Sequence, residues 1–293
     1  MTNKINVVLD WFPNTIHAGF LLALKRGYYR EAGLDVTING HVHGVMESEE
    51  GDIVCGPAAS MLEEMTKTGR LIGLGQITYK QDSGLVSLKS AGIERPRDLE
   101  GKRLTHWEPK WFHLLISELM KKDGADYDKV EKIQMDVGRP EEVLGKSADA
   151  IWIYKDWEYY VMENLGFPCN FINIADYGEP FNYPTPAIAA RRTTWEEKPD
   201  AIRAFMKASE RGYQDVVKLG TAVIPEIRDL LPDVDDKILY DGLTHLLPMF
   251  LNEEGRWGLL DQSAWQSLQK LFMESRIYGT DYPKETYIEH VGY

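Results

Sequence analysis

The sequence predicts an α/β protein of two lobes with a ligand cleft between them. Three observations carry this expectation. Short apolar runs of strand length alternate with segments whose apolar residues recur at helical spacing, the order that builds sheets covered by helices. Two turn-rich polar tracts interrupt the alternation, Tyr79-Lys-Gln-Asp-Ser-Gly84 and Gly178-Glu-Pro-Phe-Asn-Tyr-Pro-Thr-Pro186. The chain between them is about the size of a small domain, so one lobe is inserted into the other. The expected boundaries are residues 1–82 with 187–293 for the first lobe, and 83–186 for the second.

In chain order, 5–9 reads as a buried strand. Residues 17–30 follow as an amphipathic helix on Phe20, Leu21, Leu24 and Tyr28, stopped by Gly33. Strands over 35–38 and 52–55, a helix over 58–67 and strands over 71–78 and 85–88 complete a first series. Its β-α-β alternation predicts largely parallel sheets. A second series has strands over 102–106, 132–136, 150–154 and 170–174, with helices over 111–122 and 156–165. After one more strand from Ala187 the pattern turns helical, over 198–219, 222–230, 237–246 and 263–274.

Composition narrows the function classes. At 293 residues and 43% hydrophobic, the chain can fill one large or two ordinary cores. A net charge of −13 argues against a nucleic-acid partner. Two cysteines exclude a disulfide scaffold, and both Cys55 and Cys169 read as buried structural residues. No apolar run approaches the roughly 18 residues that span a bilayer. Met1 to Asp10 runs into a strand without the pattern of a secretory signal. A cytoplasmic protein and an exported one whose signal was removed both remain open.

Three constellations could carry chemistry. Leu9-Asp-Trp-Phe-Pro-Asn-Thr-Ile-His-Ala-Gly19 sits where a strand ends and a helix begins, the edge that faces ligands in open α/β sheets. There Asp10 can accept from an amino group, Trp11 offers a stacking face, and Asn14 can donate and accept. Equally, Asn14 or Thr15 can serve as a helix cap and Trp11 as core filler. Ile151-Trp-Ile-Tyr-Lys-Asp-Trp157 repeats the strand-to-helix setting. Trp152 and Tyr154 share one strand face, which suits a flat heteroaromatic ligand or plain core packing, and Lys155 could meet an anionic group. Thr105-His-Trp-Glu-Pro-Lys-Trp-Phe-His113 brings His106, Trp107 and Trp111 to a helix start. For metal, only His41 and His43 are weak candidates, on one face of an extended strand. No phosphate-cradling glycine loop and no Gly-x-Ser-x-Gly elbow occurs.

These residues resemble the thiamine-pyrimidine family of periplasmic-binding-protein folds. The match runs through Leu9-Asp-Trp-Phe-Pro-Asn-Thr-Ile-His-Ala-Gly19, Ala23-Leu-Lys-Arg-Gly-Tyr-Tyr29 and Ala32-Gly-Leu-Asp-Val36. It continues through Gly92-Ile-Glu-Arg-Pro-Arg-Asp-Leu-Glu-Gly-Lys102, Trp107, Trp152-Ile-Tyr-Lys-Asp-Trp157, Tyr183-Pro-Thr-Pro186 and Arg256-Trp-Gly258. The resemblance implies the two-lobed type II binding-protein fold. It places Asp10, Trp11, Asn14, His17, Trp107, Trp152, Tyr154 and Tyr183 around the cleft, with Trp11 and Tyr183 stacking on a pyrimidine and Asp10 or Asn14 pairing with its edge. Three features depart from the family pattern: Ile16, Lys155 and the stretch 40–51.

The family also holds hydroxymethylpyrimidine phosphate synthases, which resemblance associates with a pyridoxal-phosphate lysine and a histidine near Gly56 and Ser60, and with clustered cysteines before the return strand. Here 176–186 has no cysteine. The leading expectation is therefore a solute-binding protein, without cofactor and monomeric, that captures an aminopyrimidine for an ABC permease if exported. The alternative is a cytoplasmic enzyme of cofactor metabolism on the same fold, suggested by His41, His43, His106, His113 and Lys155.

Overall fold

The structure is a computed structural model that describes residues 3–40, 44–46, 48–107, 110–135 and 139–275. His41 and His43 lie outside the described residues. One five-stranded sheet has the order β2 (Leu34–Asn39), β1 (Asn3–Leu9), β3 (Ile53–Gly56), β10 (Ala187–Arg191), β4 (Leu71–Gln76). The other has the order β7 (Glu131–Gln134), β6 (Arg103–His106), β8 (Ala150–Tyr154), β5 (Ser83–Leu88), β9 (Cys169–Asn173). Each sheet is the floor of one lobe, and the fold is the two-lobed α/β type.

Each sheet contains one strand that opposes the rest. β1 pairs in parallel with β2 and β3, whereas β10 runs antiparallel to β3 and β4. In the second sheet β6 is parallel to β7 and β8, whereas β5 is antiparallel to β8 and β9. The two opposed strands are those by which the chain enters a lobe from the other. A chain leaving the carboxyl edge of one sheet and crossing directly to the carboxyl edge of the next must enter it backwards. That geometry sets the carboxyl ends of the parallel strands toward the cleft.

The two crossings run side by side. Ile77 N–H donates to Pro186 C=O at 2.8 Å, and Thr78 Oγ1 donates to Thr185 C=O at 2.7 Å. Trp257 anchors the outward crossing from the first lobe, its Nε1 donating to Ile77 C=O at 3.0 Å. This accounts for Arg256-Trp-Gly258 physically. Trp257 is wholly buried and stacks on Tyr213 at 4.3 Å, Arg256 pairs with Glu210, and the Gly258 carbonyl leaves no room for a side chain at Gly75.

The helix expected over 17–30 is divided. A 3-10 turn, Thr15–His17, precedes a helix at Ala18–Lys25, and Gly27 at φ +75° ends it before a short turn at Tyr28–Glu31. The Ala18–Lys25 helix crosses the long helix Pro199–Leu219 where glycines allow contact. A Cβ at Gly19 would fall 2.2 Å from the Tyr213 ring, and one at Gly212 would fall 2.1 Å from the Gly19 carbonyl. The helix expected over 156–165 begins as a π-turn, Lys155–Tyr159, before a short α-helix at Tyr160–Asn164. Cys55 and Cys169 are buried free thiols. No helix among the described residues is long and apolar enough to cross a membrane.

Candidate functional site

The site is built at the sheet edges that meet across the crossings. β1 hands its pairing to Asp10, whose N–H donates to Cys55 C=O at 3.1 Å. Opposite, β3 ends at Gly56, where a Cβ would stand 3.0 Å from the Asp10 carboxyl carbon and 2.8 Å from Met46. A side chain there would press on the Met46 methyl and the Asp10 carboxyl, and both would have to give way. Burial pushes the Asp10 carboxyl up to about 7, against the opposing pull of the Asp10 and Trp11 backbone N–H groups. Met46 is held by Arg191, whose buried guanidinium donates to the carbonyls of Met46, Val45 and Glu50.

From the second lobe, β8 brings Tyr154 to the same place. Its hydroxyl lies 3.3 Å from Thr185 Oγ1, and burial, with Asp10 next in weight, holds its phenol well above the usual range. Thr185 Oγ1 also accepts the Ala58 N–H at 3.1 Å, at the start of the helix Ala58–Thr68. Tyr183, from the return crossing, is buried beside these groups. Burial pushes its phenol above its normal value, and the amide of Gln81 beside it works the other way. The lobes also join further along: Trp111 Nε1, on the helix Lys110–Lys122, donates to Ser60 Oγ at 2.9 Å. Asp10, Tyr154, Thr185, Tyr183 and Gln81 thus form one chain of neighbours reaching from the first lobe across both crossings to the second.

The remaining residues expected at the site are distributed as follows. Trp11 packs against Phe12 at 5.2 Å, and Phe12 meets Trp157 edge-on at 5.2 Å. Asn14 and His17 form a capping box. Asn14 Oδ1 accepts the Ile16 N–H at 3.1 Å, and His17 Nδ1 accepts the Asn14 N–H at 3.3 Å. Their hydrogen-bonding atoms serve the turn, and burial drives His17 down to about 3, so it is a neutral acceptor. Trp152 lies in the second-lobe core, edge-to-face with Trp111 at 6.0 Å and Phe112 at 5.7 Å. Trp107 is half-buried over Phe112 at 5.2 Å. Lys155 departs most from its expected place: its Nζ stands over the rings of Tyr159 at 5.3 Å and Phe171 at 5.5 Å. A cation on two ring faces is already matched. His106 and His113 pack ring to ring at 4.7 Å, and His113 Nδ1 bonds the Tyr127 hydroxyl at 2.8 Å. Among the described residues, no group of three or more His, Cys, Asp or Glu could hold a metal ion.

The lysine that resemblance associates with the synthases is not found near its approximate place, where Gly56 stands beside Asp10 and Met46. Ser60, at the histidine's approximate place, bonds Trp111.

Sequence reading missed an acidic knot at the crossings. Asp82 Oδ1 lies 2.6 Å from His245 Nε2, and Asp82 Oδ2 accepts the Asp156 N–H at 3.1 Å. Asp156 is 1% exposed, with Oδ2 unpartnered. Burial first, then Asp82 and Glu158, hold it protonated well above the carboxylate range. Glu158 Oε2 is also unpartnered, and burial raises that carboxyl from 4.5 to about 7. A carboxyl raised on folding keeps a proton that the unfolded chain has lost, so its contribution to stability falls as pH rises from about 4.5 to 7. Glu158→Gln is therefore expected to stabilise the protein by ~3 kcal/mol at pH 8 and by almost nothing at pH 4.5. Denaturant midpoints at the two pH values measure it, and an equal shift at both would contradict it.

The comparisons agree with this architecture. The family model described as NMT1/THI5 like matches residues 14–219. The formylaminopyrimidine-binding protein of Halalkalibacterium halodurans is 22% identical over 278 residues, which cover 90% of this chain and 83% of that protein. The 4-amino-5-hydroxymethyl-2-methylpyrimidine phosphate synthase of Legionella pneumophila is 18% identical over 262 residues, covering 85% of this chain and 81% of that protein. Among solved structures, the alkanesulfonate-binding protein of Xanthomonas axonopodis bound to MOPS matches with a TM-score of 0.72 at 14% identity. The match covers 99% of this chain and 98% of that one, and it shows the two-lobed fold.

Proposed function

The chain belongs to the NMT1/THI5-like family, and from that premise we propose that it is a solute-binding protein for a formylaminopyrimidine-like ligand. It closes two lobes on the ligand about the paired crossings at 77–82 and 178–186. It works as a monomer and, if exported, delivers the ligand to an ABC permease. The lobes divide at residues 1–82 with 187–293, and 83–186. The name of the Halalkalibacterium halodurans relative supports the ligand class, and the Xanthomonas axonopodis match supports the two-lobed scaffold.

One observation carries the reading. The Asp10 carboxyl, raised to about 7, stands between Gly56 of one lobe and Tyr154 of the other. A protonated carboxyl offers one O–H donor and one carbonyl acceptor. An aminopyrimidine edge offers the complement, a ring nitrogen that accepts and an amino group that donates. Tyr183 and Trp107 supply aromatic faces, Trp11 a further one, and burial of the ring makes an unpaired edge costly. Tyr183→Ala and Trp107→Ala are each expected to weaken formylaminopyrimidine binding by more than about tenfold in calorimetry. Unchanged affinity in both variants would remove the stacking arrangement.

The synthase name of the Legionella pneumophila relative supports a second reading, an enzyme of pyrimidine metabolism. The glycine at position 56, near the place that resemblance gives the lysine, weighs against the lysine-dependent form of that reaction.

A further inference from the structure

We propose that Gln81 is a specificity-determining ligand contact, its carboxamide NH2 donating a hydrogen bond to an acceptor atom of the molecule held between the lobes. The inference rests on the binding-protein reading and adds a residue outside the stretches that carry the resemblance. Gln81 lies in the outward crossing between β4 and β5 and is 2% exposed. Its Oε1 accepts twice from Ser83, from N–H at 2.9 Å and from the hydroxyl at 2.8 Å. Two donors on one end of a carboxamide identify that end as the oxygen, so the other end is the NH2 group.

That NH2 has no hydrogen-bond partner within 3.5 Å among the described residues, although it is fully out of solvent. Buried donors are almost always paired in folded proteins, and one left open beside a cleft has a use for an acceptor. The surroundings say where the acceptor comes from. The amide lies near enough to the Tyr183 hydroxyl to draw its phenol down as a hydrogen-bonding neighbour does, yet the pair falls short of hydrogen-bond distance and angle, and Nε2 stays open. Tyr183 adjoins Tyr154, which bonds Thr185 and neighbours Asp10. The open donor therefore belongs to the same chain of groups as the carboxyl assigned to the pyrimidine edge. Gln76 also has an unpartnered buried Nε2, but its Oε1 holds the Asp261 N–H, away from these groups. An NH2 donor fixed by Ser83 selects a neutral acceptor, a ring nitrogen or carbonyl oxygen, and disfavours a donor at that point.

The test is calorimetric titration of the full chain with formylaminopyrimidine, its des-formyl analogue, and an analogue with a benzene ring in place of the pyrimidine. Gln81→Met keeps the volume and removes the donor. Ser83→Ala removes one bond that holds Oε1 and leaves the donor in place. Gln81→Met is expected to lower affinity for the parent compound by about 10- to 100-fold. Against one analogue, the one lacking the acceptor, it loses less than about threefold, the signature of a shared contact. Ser83→Ala stays within about threefold for every compound. The proposal is overturned if Gln81→Met binds the parent as wild type does, if it weakens all three compounds equally, or if Ser83→Ala reproduces its loss. Wild type that binds none of the three would instead overturn the binding-protein reading, and this inference with it.

Discussion

Replacing Asp10 by alanine is expected to weaken formylaminopyrimidine binding by more than about a hundredfold, while Asp10→Asn stays within about tenfold of wild type. The difference follows from what each side chain offers. Alanine leaves both polar atoms of the aminopyrimidine edge without the partner that Asp10 offers. Asparagine keeps one donor and one acceptor side by side. On the proposed reading the matching donor in wild type is the carboxyl proton, held because burial raises Asp10 to about 7. Below pH 7 the proton is in place. Above it the carboxylate presents two acceptors, one of which opposes the ring nitrogen. Affinity is therefore expected to fall by up to about tenfold per unit as pH rises past 7, and Asp10→Asn should abolish this slope. Calorimetry from pH 6 to 9 checks both expectations. A flat wild-type profile, or an Asp10→Ala variant that binds normally, would remove Asp10 from the site.

The largest expected loss of stability is at Trp257. Trp257→Ala should destabilise the protein by about 3–5 kcal/mol in chemical denaturation. The side chain is wholly buried, stacked on Tyr213 at 9° between planes and edge-on to Phe20 at 5.6 Å. Its removal leaves a cavity beside the close contact of Gly19 with Tyr213, which backbone at Gly19 and Gly212 prevents from collapsing. It also leaves the Ile77 carbonyl unpaired where the outward crossing begins. Trp257→Phe retains most of the apolar contact but not the indole N–H, and should lose about 1–2 kcal/mol. A loss below about 1 kcal/mol for alanine would mean that the site relaxes in a way the glycine contacts forbid.

Much of this architecture can be read from residue order. The alternation of strand and helix patterns, and the tracts at 79–84 and 178–186, are local signals that the structure turns into two sheets and two adjacent crossings. The reversed strands β5 and β10 are less visible, because direction is set by which edge the chain enters and not by its apolar pattern. Gly27 carries the break in the first helix, and a glycine six residues before a second one at Gly33 is a signal that favours a stop there. At the site, Asp10 at a strand end is recognisable from its setting. The roles of Gln81, Ser60 and Asp82 are not, since each depends on a partner far along the chain or across a lobe. Lys155 shows the converse: a cation next to an aromatic run suggests a ligand, yet the π-turn carries it onto Tyr159 and Phe171.

Titration of the purified protein with formylaminopyrimidine at pH 6.5 decides whether the two lobes take up an aminopyrimidine. One ligand per chain is expected, with a dissociation constant of about 1 μM or below. No binding at ligand concentrations of about 1 mM would contradict it.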